Sequence, residues 1–185
     1  MTSPAGFEPG FRKTVRWTLF TDGVIIIVIG ILGALLGALN QVLYLAYFPS
    51  VIGGGLLVSG LNYLVPYAAL KKSTIRPRWF LFIGILNSIF GVLFLTRIVL
   101  LLFKPSILTG IWMIFAACAR ACMAFENFRA GVGKWWITLT VGGYMLFAAA
   151  VMMTNTSETV SIQSWISMMV SGMFIINEGR KLFKE

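Results

Sequence analysis

The sequence predicts an all-α, polytopic membrane protein with six transmembrane helices, built as three two-helix hairpin repeats. The first observation is composition: the chain is 58% hydrophobic and 11% charged, with a mean hydropathy of +0.89, whereas soluble domains carry roughly 25% charged residues. The second is the alternation of long apolar runs with short polar loops. Each run approaches the ~20 residues that a helix needs to cross the hydrocarbon layer. Helix is the predicted form because it satisfies its own backbone groups without water.

The six predicted spans lie near 18–39, 49–70, 79–97, 105–126, 135–153 and 160–178. The first is too long for a signal-peptide core and has no convincing small-residue cleavage site, so we interpret it as a retained span. We expect residues 1–15 to form a cytoplasmic tail and residues 16–185 to form one transmembrane domain.

The basic residues predict the topology. The predicted loops on one side of the membrane hold only Arg97 and Lys104. Most of the other basic residues lie at the ends of the spans on the opposite side. That second set is Arg12, Lys13, Arg16, Lys71, Lys72, Arg76, Arg78, Arg129, Lys134, Arg180, Lys181 and Lys184. Short cytoplasmic loops retain Lys and Arg, so both termini are expected in the cytoplasm. The net charge of +9 is then explained by topology and by anionic lipids at that surface, and no nucleic-acid partner is expected.

A unit of two spans recurs three times, near 16–72, 78–130 and 134–183. Each unit opens with a basic residue followed by tryptophan, an interfacial anchor; the dipeptides are Arg16-Trp17, Arg78-Trp79 and Lys134-Trp135. Each first helix then carries two small residues one heptad apart, which lie on one face and permit close helix packing. The pairs are Gly23 and Gly30, Gly84 and Gly91, and Gly143 and Ala150.

The second helices repeat as well. Pro49 and Pro105 each precede serine and are expected in the first helical turn. Gly60 and Gly172 each end a Val-Ser-Gly triplet and are further packing candidates. The third unit lacks the corner proline. Two-span units keep their orientation, so the repeats would be related by an axis near the membrane normal.

This arrangement of spans, small residues and corner prolines resembles the HdeD family of small bacterial inner-membrane proteins linked to acid resistance. The resemblance covers Arg16 to Phe183. The residues that carry it are Gly23, Gly30, Pro49, Gly54, Gly60, Gly84, Gly91, Pro105 and Gly110. It implies a multi-pass protein of the bacterial inner membrane with a role in acid or stress resistance, by a mechanism that the motifs do not reveal.

Polar residues within the predicted spans form the candidate site. Asp22, Asn62, Asn87 and Arg120 lie about 9–14 Å from the predicted cytoplasmic surface, by the helical rise per residue. Ionisable residues inside a membrane suggest a functional site, here a cytoplasm-facing polar vestibule for a ligand or a proton.

Three structural interpretations stand beside that one. Asp22 and Arg120 have opposite charge at similar depth, so one ion pair would connect two hairpins. Arg120 could instead extend to the interface. Glu126 and Glu178 lie nearer the same surface and are expected in ordinary interfacial pairs.

The remaining reactive side chains suggest packing rather than chemistry. Cys118 and Cys122 share one helix face, but tetrahedral zinc needs four ligands and the chain has no histidine. We expect small-residue helix packing there, no disulfide, no metal and no cofactor. Methionines in the last hairpin are interpreted as adaptable apolar packing.

These observations favour a non-enzymatic stress protein that acts through helix packing, oligomerisation or partner binding. The partner would be a second copy or another membrane protein. The alternatives are a small transporter or channel around Asp22 and Arg120, and an accessory subunit of a membrane complex. An enzyme is not expected, because no nucleophile–base pair or metal set is visible. A transporter needs polar residues through the full thickness, and the outer half is mostly apolar.

Overall fold

The structure, a computed structural model, describes residues 9–39, 41–69, 78–97, 103–129, 131, 134–154 and 162–182. The described chain is helical. Its elements are α1 (Pro9–Leu39), α2 (Gln41–Ala69), α3 (Arg78–Thr96), α4 (Pro105–Arg129), α5 (Trp135–Thr154) and α6 (Ile162–Leu182). Helices α1 to α5 are long and apolar enough to cross a membrane. Helix α6 is long enough but more polar, since its last turns include Asn177, Glu178 and Arg180.

Two helix boundaries differ from the sequence prediction in a way that matters for the site. Pro49 was expected in the first turn of its helix, but α2 begins at Gln41 and contains both Pro49 and Pro66. The residues before Pro49 are apolar enough to remain helical, whereas Pro105 does begin α4. Helix α6 continues to Leu182, one turn beyond the predicted end at 178. Glu178 therefore lies within the helix rather than at its end.

The helices form a closed ring. Each helix contacts the next one along the chain, and α6 contacts α1. The three most extensive interfaces are α1–α6, α2–α3 and α4–α5. Each of these joins the last helix of one predicted unit to the first helix of another, while the two helices within a unit contact each other less.

Small residues occupy these three interfaces, where the backbones approach closely. A Cβ on Gly23 would lie 2.6 Å from the Gly172 carbonyl oxygen, and one on Gly60 would lie 2.9 Å from that of Gly84. At the α4–α5 interface, a Cβ on Gly142 would lie 3.2 Å from the Ala117 carbonyl oxygen. Close backbone approach of this kind is the main packing device of helices in lipid.

The same contact repeats seven residues along each helix. A Cβ on Gly91 would lie 2.9 Å from the Gly53 carbonyl oxygen, and one on Gly110 would lie 3.2 Å from that of Ala149. At the α1–α6 interface, a Cβ on Gly30 would lie 3.2 Å from the Trp165 carbonyl oxygen.

In α5 the predicted pair of small residues is wrong by one position. Gly143 and Ala150 are exposed, and a Cβ on Gly143 would have no neighbour within 4 Å among the described residues. Gly142 and Ala149 face α4 instead. Both pairs keep the heptad spacing, so spacing alone does not distinguish them. Adjacent residues differ by about 100° around the helix, and only one pair can face the neighbour.

The interior of the ring changes character along its length. We call the end that carries Arg16, Arg78, Arg129 and Arg180 the basic end. At the opposite end, Phe48 packs against three other rings at centroid separations of 4.9–6.0 Å; they belong to Tyr44, Phe94 and Trp165. The outer surface exposes many large apolar side chains, among them Leu35, Val65 and Phe147. A belt of that size suits contact with lipid.

Candidate functional site

A group of seven polar or hydrogen-bonding side chains lies inside the ring, nearer its basic end. Five helices contribute to it: α1, α2, α3, α4 and α6. Each of the seven is at most 3% exposed. We call this group the polar cluster; its members are Asp22, Ser59, Tyr63, Asn87, Trp112, Arg120 and Glu178.

Arg120 is at the centre of the polar cluster. Its Nη1 donates to Glu178 Oε2 at 2.7 Å. Its Nη2 lies 3.3 Å from Asp22 Oδ2 and 3.3 Å from the Tyr63 hydroxyl. Charge-assisted hydrogen bonds are among the stronger ones in proteins. One side chain of α4 thereby contacts α1, α2 and α6.

Asp22 accepts hydrogen bonds from two further side chains. Ser59 donates to its Oδ1, and the Tyr63 hydroxyl donates to its Oδ2 at 2.7 Å. Together with Arg120, these donors surround the carboxylate of α1 with groups from α2 and α4. A buried carboxylate needs such partners, because burial without them is very costly.

A hydrogen-bonded chain extends from Asp22 to α3 and α4. The Trp112 indole N–H donates to Asn87 Oδ1 at 2.9 Å, and Asn87 Nδ2 donates to Ser59 Oγ at 2.8 Å. Ser59 then donates to Asp22. All three bonds run in the same direction, towards the carboxylate, so each polarises the next.

The charges of the polar cluster do not balance when all its acidic and basic groups are ionised. Asp22 and Glu178 would contribute two negative charges and Arg120 one positive charge. Glu178 also retains one oxygen, Oε1, that no donor among the described residues meets in hydrogen-bonding geometry. The arrangement is neutral when the two carboxylates hold a single proton between them.

The polar cluster is closed rather than open to either surface. The cavity beside it measures about 10 Å³, roughly the smallest volume that holds one water. That cavity is lined by Asp22, Ile26, Ile83, Asn87, Trp112, Ala116, Arg120, Met145 and Ile175. The described residues therefore form no cytoplasm-facing vestibule around the polar cluster in this conformation, because large apolar side chains fill the space.

The structure brings together four of the six predicted site residues: Asp22, Asn87, Arg120 and Glu178. Arg120 is only 2% exposed, so its guanidinium does not extend to the interface. Glu178 was expected in an ordinary interfacial pair, but it is fully buried against Arg120. The reason is the longer α6, in which Glu178 is followed by another helical turn and lies on the side that faces Arg120 inside the ring.

The other two predicted residues lie outside the polar cluster. Asn62 is half-buried and donates to the Thr18 carbonyl oxygen at 2.9 Å, which connects α2 to α1. Glu126 is exposed on α4. Cys118 and Cys122 are free and exposed on the outer face of α4, so the expected packing between helices is wrong within this chain. The face of α4 that carries both cysteines points away from the neighbouring helices, so the cysteines do not pack against them.

Sequence reasoning missed Ser59, Tyr63 and Trp112 as members of the site. A signal was present: Tyr63 follows Ser59 by four residues, and Trp112 precedes Arg120 by eight, so each pair shares a helix face. Serine, tyrosine and tryptophan are common in membrane helices for other reasons, and only their partners reveal the role.

A comparison with known families locates one similarity. The model of a family described as "Short repeat of unknown function (DUF308)" matches residues 22–96. Over that stretch the chain resembles the short-repeat family. The match runs from Asp22 to the end of α3 and includes Ser59, Tyr63 and Asn87 of the polar cluster. No curated protein and no solved structure matches the chain.

Proposed function

We propose that this chain is a non-enzymatic, multi-pass protein of the bacterial inner membrane that contributes to acid or stress resistance. In this proposal the polar cluster holds the helix ring in one arrangement. The observation that carries it is Arg120, which contacts side chains of three other helices in the interior. The resemblance to the HdeD family supports the membrane and stress assignments, and the similarity to a short-repeat family supports the internal repeat.

The polar cluster is suited to fixing an arrangement rather than to adding much stability. A buried ion pair gains little over well-packed apolar residues, but removing one partner costs ~3–5 kcal/mol because a charge remains buried without compensation. Arg120 can meet both carboxylates only when α1, α4 and α6 are in their observed register. Other packings of the same apolar helices would leave at least one of these charges unpaired.

The proposal includes a triplicated hairpin with all six helices across the membrane and both termini in the cytoplasm. Three extensive interfaces, each with small residues seven positions apart, support the repeat. The concentration of Arg and Lys at the basic end supports the orientation. For α6, whose hydropathy is lower, its position in the ring between α5 and α1 supports a transmembrane placement.

A link to acid follows from the charge count. With one proton shared by Asp22 and Glu178 the polar cluster is neutral, and a second proton would leave the Arg120 charge unpaired. The titratable groups that face these carboxylates are Tyr63 of α2 and Arg120 of α4. Ser59 of α2 beside Asp22 and Thr138 of α5 beside Glu178 are uncharged. We propose that this balance keeps the ring assembled as the surrounding pH falls, since proton entry requires the closed interior to open.

An acid-survival assay tests the proposal. Cells carrying the wild-type chain, the Arg120→Gln variant or an empty vector are exposed to acid at matched membrane expression. Arg129→Gln serves as the control because Arg129 is exposed and lies over the Phe125 ring, 4.5 Å from its centroid, outside the polar cluster. We expect wild type and the control to survive better than the empty vector, and Arg120→Gln to lose that benefit. Equal survival of wild type and empty vector would refute the acid-resistance role.

The transporter alternative predicts a different result. A transporter would need the closed cluster to open and the aromatic layer around Phe48 and Trp165 to part. Reconstituted vesicles loaded with a pH-sensitive dye would then show a proton flux that Asp22→Asn abolishes. We expect no flux above that of empty vesicles.

A further inference from the structure

A groove on the outside of the ring, at its basic end, combines two arginines with an apolar floor. It lies between α1 and α6, has a volume of about 280 Å³, and is lined by Arg16, Trp17, Phe20, Ile176 and Arg180. The two helices are close at this level: a Cβ on Gly179 would lie 3.4 Å from the Arg16 carbonyl oxygen. The groove is separate from the polar cluster, which lies inside the ring.

Both arginines of this groove are exposed, and neither forms a salt bridge within the described part of the chain. Glu178 is the acidic residue nearest to Arg180 in the sequence, but it forms an ion pair with Arg120 inside the ring. Among the described residues, therefore, no carboxylate neutralises these two guanidinium groups of neighbouring helices. Guanidinium forms bidentate hydrogen bonds to phosphate, and its charge is retained at any relevant pH.

The floor of the groove suits an acyl chain. Trp17 is 58% exposed and Phe20 is 41% exposed, and their rings meet edge to face at 5.7 Å. Tryptophan next to a basic residue is the usual composition at the level of lipid headgroups, with apolar side chains below it. A phosphate at Arg16 and Arg180 would thus have its hydrocarbon tail directed along Phe20 and Ile176.

A second groove, at the corresponding place between α4 and α5, lacks the positive charge of the α1–α6 groove. It has a volume of about 340 Å³ and an almost wholly apolar lining of Ala121, Ala124, Phe125, Phe128, Trp135 and Leu139. Phe125 follows Ala117 by the same interval as Arg180 follows Gly172, the small residues at the two interfaces. Arginine thus stands in one groove where phenylalanine stands in the other.

We infer that the α1–α6 groove is a binding site for one anionic phospholipid. Its phosphate would lie between Arg16 and Arg180, and one acyl chain would lie on Trp17, Phe20 and Ile176. Such a lipid would bridge the first and last helices of the ring from outside. The inference requires only that the protein lies in a membrane and is independent of the acid-resistance role.

The test measures the thermal stability of the purified protein in detergent with added phosphatidylglycerol, phosphatidylcholine or inorganic phosphate. We expect phosphatidylglycerol to raise the Tm, with phosphatidylcholine and phosphate giving much smaller changes. The Arg16→Gln/Arg180→Gln variant should bind phosphatidylglycerol roughly thirtyfold more weakly, from ~1 kcal/mol for each basic residue near a lipid surface. The control variant Arg78→Gln/Lys181→Gln removes the same charge from the basic end outside the groove and should bind as wild type does.

Three outcomes would overturn the inference. An equal loss in both double variants would mean diffuse attraction to the basic end, and a phosphate effect as large as the lipid effect would mean a simple anion site. The third outcome comes from a separate measurement on the folded protein, which needs no arginine substitution. The protein is placed in bilayers that contain phosphatidylglycerol with brominated acyl chains, and bromine quenches the fluorescence of nearby tryptophan. We expect brominated phosphatidylglycerol to quench wild type more than it quenches Trp17→Phe, and to exceed brominated phosphatidylcholine. An absence of both differences would contradict a lipid at Trp17.

Discussion

Glu178 on α6 accepts a hydrogen bond from Arg120 on α4 at 2.7 Å, although fifty-eight positions separate them in the chain. Both side chains are buried. The second carboxylate, Asp22, lies 3.3 Å from the other terminal nitrogen of the same guanidinium. Arg120 is thus shared by two acidic residues, and its removal leaves more uncompensated charge than the removal of either acid.

We expect Arg120→Gln to lower the free energy of unfolding by ~3–5 kcal/mol, because two carboxylates then remain buried without a cation. Asp22→Asn should cost less, since Arg120 keeps its pair with Glu178. The triple variant Asp22→Asn/Arg120→Gln/Glu178→Gln should recover part of the loss. Denaturant titration in detergent measures the series, with Arg129→Gln as an exposed-arginine control expected within about 0.5 kcal/mol of wild type. Additive losses would show that these side chains do not interact.

Helix contacts at the small residues give a second prediction. Gly91→Leu should lower the free energy of unfolding by at least ~1–3 kcal/mol, because even a Cβ at Gly91 would lie 2.8 Å from Leu57 Cγ and 2.9 Å from the Gly53 carbonyl oxygen. Gly143→Leu is the matched control, since Gly143 is exposed and has open space beside it. Thermal unfolding in detergent should therefore show a lower Tm for the first variant only. The opposite order would mean that the faces of α3 and α5 are assigned wrongly.

The sequence predicted the helices better than their rotations. Apolar length and charge gave the approximate helix positions, because crossing a bilayer constrains length and composition strongly. Depth along a helix also follows from residue counting, which is why Asp22 and Arg120 could be matched by depth. Rotation about the helix axis does not follow from counting, so Gly142 and Gly143 were indistinguishable. Glu178 was misplaced because its role depends on one additional turn of α6 and on the approach of Arg120 from α4.

Asn87 should be a sensitive position despite its lack of charge. Replacing it with leucine would leave the Trp112 N–H without its acceptor and Ser59 without one donor. A buried polar group left without its partner costs ~1–3 kcal/mol, so the unfolding free energy should fall by that amount. Asn177→Leu is the control because Asn177 is exposed on α6. Equal stability of both variants would argue that the hydrogen-bonded chain does not hold α3 in place.

The orientation in the membrane can be measured with single cysteines in a background in which Cys118 and Cys122 are replaced by serine. Ser73 and Asn155, both outside the described residues, mark opposite sides of the predicted topology. A membrane-impermeant maleimide added to intact spheroplasts should label Asn155→Cys, while Ser73→Cys should react only after permeabilisation. The reverse labelling pattern would place the termini outside the cytoplasm.

The closure of the ring by α1 and α6 bears on how the molecule is made. Helix α1 precedes the other five described helices in the chain, yet its most extensive contact is with α6, the sixth. Until α6 is made, Gly23 and Gly30 lack the helix that packs against them, and Arg120 can pair with Asp22 but not with Glu178. A chain that ends before α6 would therefore have an open seam, and its Arg120 would have one of its two carboxylates. We expect such a chain to be degraded faster than the six-helix bundle. Fusing α6 ahead of α1 would remove that waiting period, and the lifetime of truncated chains in the cell should lengthen accordingly.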